Sequence, residues 1–351
     1  MRKEQFIREI VMSSALARQM PPVQHAQVNG IDMAYYEVGP RGKGVPIIFC
    51  HGFPELAFSW RHQLRACEAA GVWAIAPDQR GYGGTSRPAE VTDYDLEHLT
   101  GDLVGLLDHL GVEKAVFCGH DWGGLIVWMM PLMHPTRTAG VIGLNTPFMQ
   151  RQPMDPIALM RMALGEDMYI VWFQKPGEAD KALGADVDKT IRFFMRKAEA
   201  MATAAEAPAA NALDPQGQAA EGQSTFAFRD LLAQWDKSDT TGQLLNADEL
   251  AAFVETFEAT GFTGGINWYR NFTRNWERSA DLPARIDNLP CLMVMAELDA
   301  VLPPSAADGM EDRIGDLEKV LIKGSGHWTQ QEKPEEVNRI LLEWMSRRFP
   351  A

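Results

Sequence analysis

The segment from Gly119 to Gly124 reads Gly-His-Asp-Trp-Gly-Gly and places Asp121 where an apolar strand-like run turns into a helical run. In the pattern Gly-x-nucleophile-x-Gly, small flanking residues permit a strained turn that exposes the central side chain above a sheet. An aspartate that attacks an alkyl carbon becomes an ester, which water cleaves, whereas a serine would become an inert ether. Its carboxylate, with a reference pKa of about 3.9, is already ionised at neutral pH. Asp121 therefore predicts nucleophilic substitution at an sp3 carbon.

Two later segments supply an acid and a histidine, in the chain order that such an elbow requires. The apolar run over residues 291–295 leads to Asp299, and a later apolar run leads to the loop that holds His327. We expect His327 to activate water against the ester on Asp121, with Asp299 orienting the imidazole.

Other polar residues near these motifs are given different roles. Glu297 is a rival acid, but it follows its strand at once and would have to reach further into the loop than Asp299. The alternative acid position, after the preceding strand, holds Asn145, which carries no negative charge. His51 and His120 are interpreted as holding loop geometry rather than transferring protons.

A second chemical motif, Cys-His-Gly-Phe-Pro-Glu over residues 50–55, follows an early apolar run. We predict that the backbone N–H groups of Phe53 and Trp122 form an oxyanion hole, each donor contributing about 3 kcal/mol to the transition state. Their main effect should come during ester hydrolysis, when a tetrahedral oxyanion forms. Before that step they would hold the spare oxygen of Asp121.

The elements that position these residues alternate between apolar runs and helical patterns. Residues 24–38, broken by Asn29-Gly30, predict a hairpin. Helical patterns cover residues 96–110 and 337–345, and buried-strand candidates lie at residues 47–50, 73–77, 115–118, 141–144, 291–295 and 320–322. The alternation predicts an α/β fold with a mostly parallel sheet and helices on both faces.

The alternation lapses between about residues 147 and 282, which are helical in pattern and rich in Met and Trp. We therefore predict a core domain of residues 1–148 and 281–351 and an inserted helical cap of residues 149–280. The Ala-rich residues 198–223 are expected to form a mobile connection within the cap. Near the N-terminus, residues 10–17 favour an amphipathic or frayed helix over a secretion signal.

Composition limits the partners and the cell compartment that suit this chain. A formal net charge of -14 argues against nucleic acid or an anionic membrane surface as a partner. No apolar stretch approaches the roughly 18 residues needed to cross a bilayer. The four cysteines lack C-x-x-C spacing and fit buried thiols in a reducing, cytoplasmic compartment. No metal-ligand cluster is visible, and the predicted chemistry requires no metal or organic cofactor.

Together these motifs resemble the epoxide hydrolases of the α/β-hydrolase superfamily, of the soluble type. The likeness includes residues 51–55, 80–86, 119–124 and 326–330, and it extends over nearly the whole chain after residue 25. The resemblance implies an α/β-hydrolase fold with a cap, hydrolysis of an epoxide to a vicinal diol, and a cis peptide between Phe53 and Pro54.

In the cap, residues 173–179 and 264–271 resemble the stretches around the family's two ring-opening tyrosines, which map to Tyr169 and Tyr269. A phenol with a reference pKa of about 10 suits this role because it both hydrogen-bonds and protonates a departing alkoxide. The expected partners are a small apolar epoxide and water, and the oligomeric state stays open between monomer and homodimer.

Two other functions compete with this one. A haloalkane or haloacid dehalogenase shares the aspartate, acid, histidine and oxyanion hole, but it has no need of the cap tyrosines. A haloacid enzyme is also expected to carry arginine just after the nucleophile, where Trp122 and Gly123 stand. The second alternative is a non-catalytic protein that keeps the pocket for ligand binding, and such proteins often lose a catalytic residue.

Overall fold

One mixed sheet forms the centre of the molecule. The computed structural model describes residues 16–197 and 226–350. Within these residues, strands join in the order β1-β2-β4-β3-β5-β6-β7-β8. Their bounds are β1 Gln24–Val28, β2 Ile31–Val38, β3 Ile47–Cys50, β4 Ala74–Pro77, β5 Ala115–His120, β6 Thr138–Leu144, β7 Ile286–Ala296 and β8 Ile314–Ile322. The pairs β1-β2 and β2-β4 are antiparallel and the others are parallel, so the predicted α/β fold is confirmed.

Helices lie in two groups along the chain. Those associated with the sheet are α1 Arg61–Ala70, α2 Leu96–Leu110, α3 Trp122–Met133, α12 Thr329–Glu332 and α13 Pro334–Arg348. Those between β6 and β7, called the cap helices below, are α4 Pro156–Leu164, α5 Tyr169–Trp172, α6 Glu178–Gly184, α7 Val187–Phe194, α8 Phe228–Gln234, α9 Ala247–Thr260, α10 Thr263–Arg270 and α11 Phe272–Arg278. Short 3-10 turns cover Ala57–Trp60, Val91–Tyr94, Pro135–Arg137, Pro304–Ala307 and Met310–Asp312.

The last two strands begin earlier than their apolar runs indicate. Strand β7 begins at Ile286 rather than at residue 291, and β8 begins at Ile314 rather than at residue 320. Their first halves pair with each other from Ile286 and Ile314 onward, although most side chains there are half-buried or exposed. Because β8 is an edge strand, many of its side chains reach solvent, and the hydrophobic pattern alone does not show where these two strands begin.

Some expectations stay untested. The predicted mobile connection at residues 198–223 lies outside the described residues, as does most of the predicted helix at residues 10–17. The division into a core of residues 1–148 and 281–351 and a cap of residues 149–280 remains a prediction. Among the described residues, no helix is long and apolar enough to cross a membrane.

The parallel part of the sheet brings the predicted chemistry to one edge. Strands β5, β6, β7 and β8 are neighbours and run in the same direction, so their carboxyl ends lie side by side. Asp121, Asn145, Asp299 and His327 follow these four strands in that order. Ligand sites of open α/β sheets form at this edge.

A buried ion pair holds the loop after β4 against α2. Arg80 donates to both carboxylate oxygens of Asp102, from Nε at 2.7 Å, and Asn29 of the hairpin turn donates to Asp102 at 2.8 Å. Both charged side chains are almost fully buried. The carbonyl of Arg80 in turn accepts the indole N–H of Trp268 from cap helix α10 at 3.1 Å. The pair therefore supports a contact between core and cap.

Breaking this pair should destabilise the fold strongly. We expect Asp102→Asn to lower the free energy of unfolding by about 3–5 kcal/mol, because Arg80 would stay buried without its counter-charge. Urea denaturation followed by tryptophan fluorescence measures the loss. Asp108→Asn is the matched control, since Asp108 pairs with Arg137 but its side chain is 65% exposed, and its loss should stay below about 1 kcal/mol. Equal losses in the two variants would contradict the prediction.

Candidate active site

Asp121 sits on a strained turn between β5 and α3. Its backbone has φ 52° and ψ -121°, a region disfavoured for a residue with a Cβ. Neighbouring glycines allow this path: a Cβ on Gly119 would lie 2.1 Å from the carbonyl oxygen of Gly123, and one on Gly123 would lie 2.0 Å from that of Cys50. The hydroxyl of Thr146 donates to the Asp121 carbonyl at 2.7 Å. The elbow predicted from the glycine spacing is therefore present.

The two oxygens of the Asp121 carboxylate have different surroundings. Oδ1 accepts the backbone N–H of Phe53 at 2.8 Å, and the backbone N–H of Trp122 lies close enough to the carboxylate to favour its ionised form. Gly52 lets the loop approach this closely, since a Cβ there would lie 2.2 Å from Oδ1. Oδ2 lies 3.9 Å from Nε2 of His327, too far for a hydrogen bond. One oxygen is thus held and the other is left to react.

His327 is oriented by Asp299. Its Nδ1 lies 2.9 Å from Oδ2 of Asp299, whose other oxygen accepts two backbone N–H groups of the following turn at 2.9 and 3.0 Å. The rival acid Glu297 is exposed and accepts the N–H of Gly324 at 2.8 Å. The structure therefore places Asp299, and not Glu297, against the histidine.

Asn145 is a site residue that sequence reasoning set aside. Its Nδ2 donates to Oδ2 of Asp299 at 2.6 Å and to the carbonyl oxygen of His327 at 3.1 Å. The residue has a positive φ of 61°, which asparagine tolerates better than most residues. Its position after β6, beside the strand that carries Asp299, was the available signal. Asn145 is not the acid, but it supports the acid.

The electrostatics of the site follow from two carboxylates around one imidazole, of which Asp299 is fully buried and Asp121 is partly exposed. Burial alone would lower the pKa of His327, but the charge and hydrogen bond of Asp299, with the charge of Asp121, raise it to about 9. Burial would raise the pKa of Asp299, yet His327 and Asn145 hold it well below its usual range. For Asp121 burial prevails and raises the pKa, although His327 and the N–H groups of Phe53 and Trp122 oppose it.

Beneath the elbow, a fully buried pair joins three loops. Nδ1 of His120 lies 2.8 Å from Oε2 of Glu55, and Nε2 of His120 donates to the carbonyl oxygen of His327 at 2.6 Å. Glu55 also accepts the N–H of Gly52 and the side-chain amide of Gln330, each at 2.8 Å. His120 therefore contacts the histidine loop and the oxyanion loop, in keeping with a role in loop geometry.

His51 is likewise occupied by loop contacts. Its Nδ1 donates to the carbonyl of Gly52 at 3.0 Å, and its Nε2 accepts the N–H of Gln79 at 3.0 Å. Burial lowers its pKa, so the neutral ring is favoured. In the same loop the peptide between Phe53 and Pro54 is cis, as the resemblance implied.

The two tyrosines meet above the nucleophile. Tyr169 begins α5 and Tyr269 lies in α10, and their ring centroids are 5.7 Å apart at an angle of 74°. Both residues line the same pocket as Asp121. The side chain of Gln174 donates to the carbonyls of Ile170 and Tyr269 at 2.9 and 3.0 Å, which ties the two helices together. Burial, reinforced by the charge of Asp121, raises the pKa of both phenols.

Helix α10 packs closely on the core. A Cβ on Gly264 would lie 2.3 Å from the carbonyl oxygen of Gly81, so this backbone contact requires glycine. Four residues later, Trp268 donates to the carbonyl of Arg80. These contacts set the height of Tyr269 above the elbow.

A pocket opens in front of Asp121. Besides Asp121 and the two tyrosines, its walls are mainly apolar and include Met149, Met160, Met168, Ile170, Phe226 and Phe272. Such walls suit an apolar substrate.

Comparisons with known proteins agree with this geometry. Residues 45–334 match the alpha/beta hydrolase fold family. Epoxide hydrolase A of Mycobacterium tuberculosis is 41% identical over 328 residues, which cover 93% of this chain and 98% of that protein. Bifunctional epoxide hydrolase 2 of Sus scrofa is 38% identical over 318 residues, which cover 90% of this chain and 53% of that protein.

Solved structures give the same result. Epoxide hydrolase A from Mycobacterium thermoresistibile superposes with a TM-score of 0.79 at 39% identity, covering 93% of this chain and 98% of that one. Epoxide hydrolase I from potato (Solanum tuberosum) superposes with a TM-score of 0.78 at 30% identity, covering 93% and 99%. Motifs, fold and full-length similarity coincide, and the chain belongs to the α/β-hydrolase fold family and, within it, to the epoxide hydrolases.

Proposed function

We propose that this protein hydrolyses a small apolar epoxide to a vicinal diol through an ester on Asp121. The observation that carries the proposal is the arrangement around one pocket: a carboxylate with a free oxygen faces two neutral phenols. A nucleophile and a proton donor on opposite sides of a ligand are what ring opening needs. Water is the second substrate.

In the first half-reaction, Oδ2 of Asp121 attacks an epoxide carbon and the ring C–O bond breaks. The ring oxygen leaves with the electron pair and takes a proton from Tyr169 or Tyr269. Because their pKa values are raised, both phenols carry their protons until an alkoxide, which is more basic than a phenolate, develops beside them. The product of this step is a hydroxyalkyl ester and a tyrosinate.

In the second half-reaction, water attacks the carboxyl carbon of Asp121 and His327 takes its proton. While Asp121 is ionised, its charge helps to hold the pKa of His327 at about 9, so the resting imidazole is protonated at neutral pH. Ester formation removes that charge and lowers the pKa of His327, so the imidazolium gives up its proton, which restores the tyrosinate to tyrosine through solvent. The neutral ring then takes a proton from the attacking water, and when the ester bond breaks to release the diol, His327 is left protonated and Asp121 ionised, as in the resting site.

The oxyanion hole serves the second half-reaction. Oδ1 of Asp121 already accepts the N–H of Phe53, and it becomes the carbonyl oxygen of the ester. When water adds, negative charge develops on this oxygen against donors that need not move. Each donor is expected to stabilise that state by about 3 kcal/mol.

Two phenols distinguish this proposal from dehalogenation. A halide departs as a stable anion and requires no proton, so a dehalogenase gains nothing from a general acid.

The proposal also includes the cell compartment. The four cysteines are buried and form no disulfide, which supports a reducing, cytoplasmic setting.

The two half-reactions should fail separately in two variants. With 1,2-epoxyhexane, His327→Gln should accumulate close to one equivalent of ester, because loss of a general base slows hydrolysis by about 10²–10⁴-fold. Asp121→Asn should form no ester. Intact mass spectrometry followed by peptide mapping measures the adduct and its position. Normal turnover by His327→Gln, or an adduct on another residue, would rule out the scheme.

The tyrosines should matter for epoxides and not for halides. Tyr169→Phe and Tyr269→Phe should each slow ester formation from 1,2-epoxyhexane by about 10–10³-fold, since each removes a proton donor. Alkylation by 1-bromohexane, measured by the same mass assay in the His327→Gln background, should change by less than about 3-fold. If alkylation is faster from the bromide than from the epoxide before any tyrosine is replaced, dehalogenation becomes the better assignment.

The charge coupling between Asp121 and His327 is measurable in the resting enzyme. Removing a negative charge near an imidazolium destabilises the protonated form, so Asp121→Asn should lower the pKa of His327 below about 9. NMR titration of labelled histidine side chains reports this value. Asp287→Asn, whose side chain is 58% exposed, is the control and should leave it unchanged. An equal or higher pKa in Asp121→Asn contradicts the coupling.

A further inference from the structure

Glu332 reaches back from the end of α12 to the loop that carries His327. Its Oε2 accepts the backbone N–H of Gly326 at 2.9 Å, and its Oε1 accepts the backbone N–H of Trp328 at 3.1 Å. These residues directly precede and follow the histidine. One carboxylate therefore accepts the N–H groups of both residues that neighbour His327 in the chain.

Other residues hold the imidazole ring and the carbonyl oxygen of His327, whereas Glu332 holds the N–H groups of its two neighbours. Asp299 fixes the ring through Nδ1, and His120 and Asn145 donate to the carbonyl oxygen. Gly326 and Trp328 are buried, so their N–H groups need acceptors within the protein. Glu332 supplies both acceptors, with a negative charge that strengthens each bond.

The position of His327 matters most in the second half-reaction. Nε2 must lie within hydrogen-bonding reach of a water that attacks the Asp121 carboxyl carbon. A displacement of about 1 Å in such a geometry costs about 100-fold in rate. Ester formation is less sensitive, because His327 makes no hydrogen bond to the attacking oxygen, 3.9 Å away.

We propose that Glu332 is a positioning residue for ester hydrolysis, holding His327 where Nε2 takes the proton from water. The inference rests on the proposed function and adds a residue that no motif comparison assigned. Glu332 acts through the backbone of Gly326 and Trp328, on either side of His327, and its carboxylate lies outside the walls of the substrate pocket.

Glu332→Gln tests this role with little change in size. The side-chain amide keeps one acceptor oxygen but turns an NH2 group toward the second backbone N–H, so one bond is lost and two donors face each other. Glu332→Asp keeps the charge on a side chain shorter by one methylene, and it should recover part of the lost rate.

Glu297→Gln is the matched control. Glu297 also accepts one N–H from the same loop, that of Gly324 at 2.8 Å, but Gly324 is three residues away from His327. Glu297 is exposed, whereas Glu332 is half-buried. A general loosening of the loop would affect both variants, whereas a specific hold on the histidine affects only Glu332→Gln.

Rapid-quench experiments with 1,2-epoxyhexane, read by intact mass, separate the two half-reactions. In Glu332→Gln we expect ester formation within about 2-fold of wild type and hydrolysis slower by about 10–100-fold, so that ester accumulates during turnover. Glu297→Gln should match wild type in both steps. Equal slowing of the two steps, or unchanged hydrolysis, overturns the inference.

A second measurement does not depend on turnover. The imidazole Nδ1–H of His327, bonded to Asp299, gives a low-field proton resonance that should weaken through faster exchange in Glu332→Gln and persist in Glu297→Gln. An unchanged resonance in Glu332→Gln argues against the hold on His327. If neither wild type nor His327→Gln ever forms an ester, the proposed function fails, while this resonance still decides whether Glu332 positions the histidine.

Discussion

The whole site depends on one carboxylate, that of Asp121, which must stay ionised although it is largely shielded from water. One of its oxygens is hydrogen-bonded and the other must remain free to attack the substrate. Burial raises the pKa of Asp121, which works against the charge that makes it a nucleophile. The charge of His327 opposes this rise without a hydrogen bond to the carboxylate, and backbone N–H groups oppose it further, so that Oδ1 is held while Oδ2 stays available. This solution requires the loop at Gly52 to lie against the elbow, and that close approach explains why glycine stands there.

The same requirement extends to the histidine. In the resting site this base makes no hydrogen bond to the nucleophile, but it must later reach a water molecule beside it. Its position must therefore be fixed by contacts on the side away from the substrate. The carbonyl oxygen of His327 accordingly accepts bonds from His120 and Asn145, and Glu332 accepts the N–H groups of the two residues beside it. Buried polar networks rigidify a site when every member is satisfied and are costly when one member is lost. The loop that carries His327 is thus held in place by hydrogen bonds, much as the residues of the core are held by packing.

The sequence was sufficient for the parts of this arrangement that local pattern encodes. The elbow around Asp121, the strands before Asp299 and His327, and the hairpin at Asn29-Gly30 all depend on residues close together in the chain. Asn145 could not be predicted in the same way, because its partners follow other strands, and periodicity does not specify the order of strands in the sheet. Glu332 lies only four and six residues from its partners, but periodicity does not show that its side chain turns back to the loop. Tyr169 and Tyr269 came from resemblance alone, since their helices approach each other only in three dimensions.

The charge of Asp121 also links the two half-reactions in time. In the resting site it adds to burial in raising the pKa of Tyr169 and Tyr269, and it adds to Asp299 in raising the pKa of His327. As the carboxylate is consumed by attack on the epoxide, this contribution fades for all three groups. The phenols become stronger acids as the alkoxide begins to need a proton, and the imidazolium becomes easier to deprotonate as the ester begins to need a base. The loss of one negative charge therefore favours the proton transfer of each half-reaction at the point where it is needed.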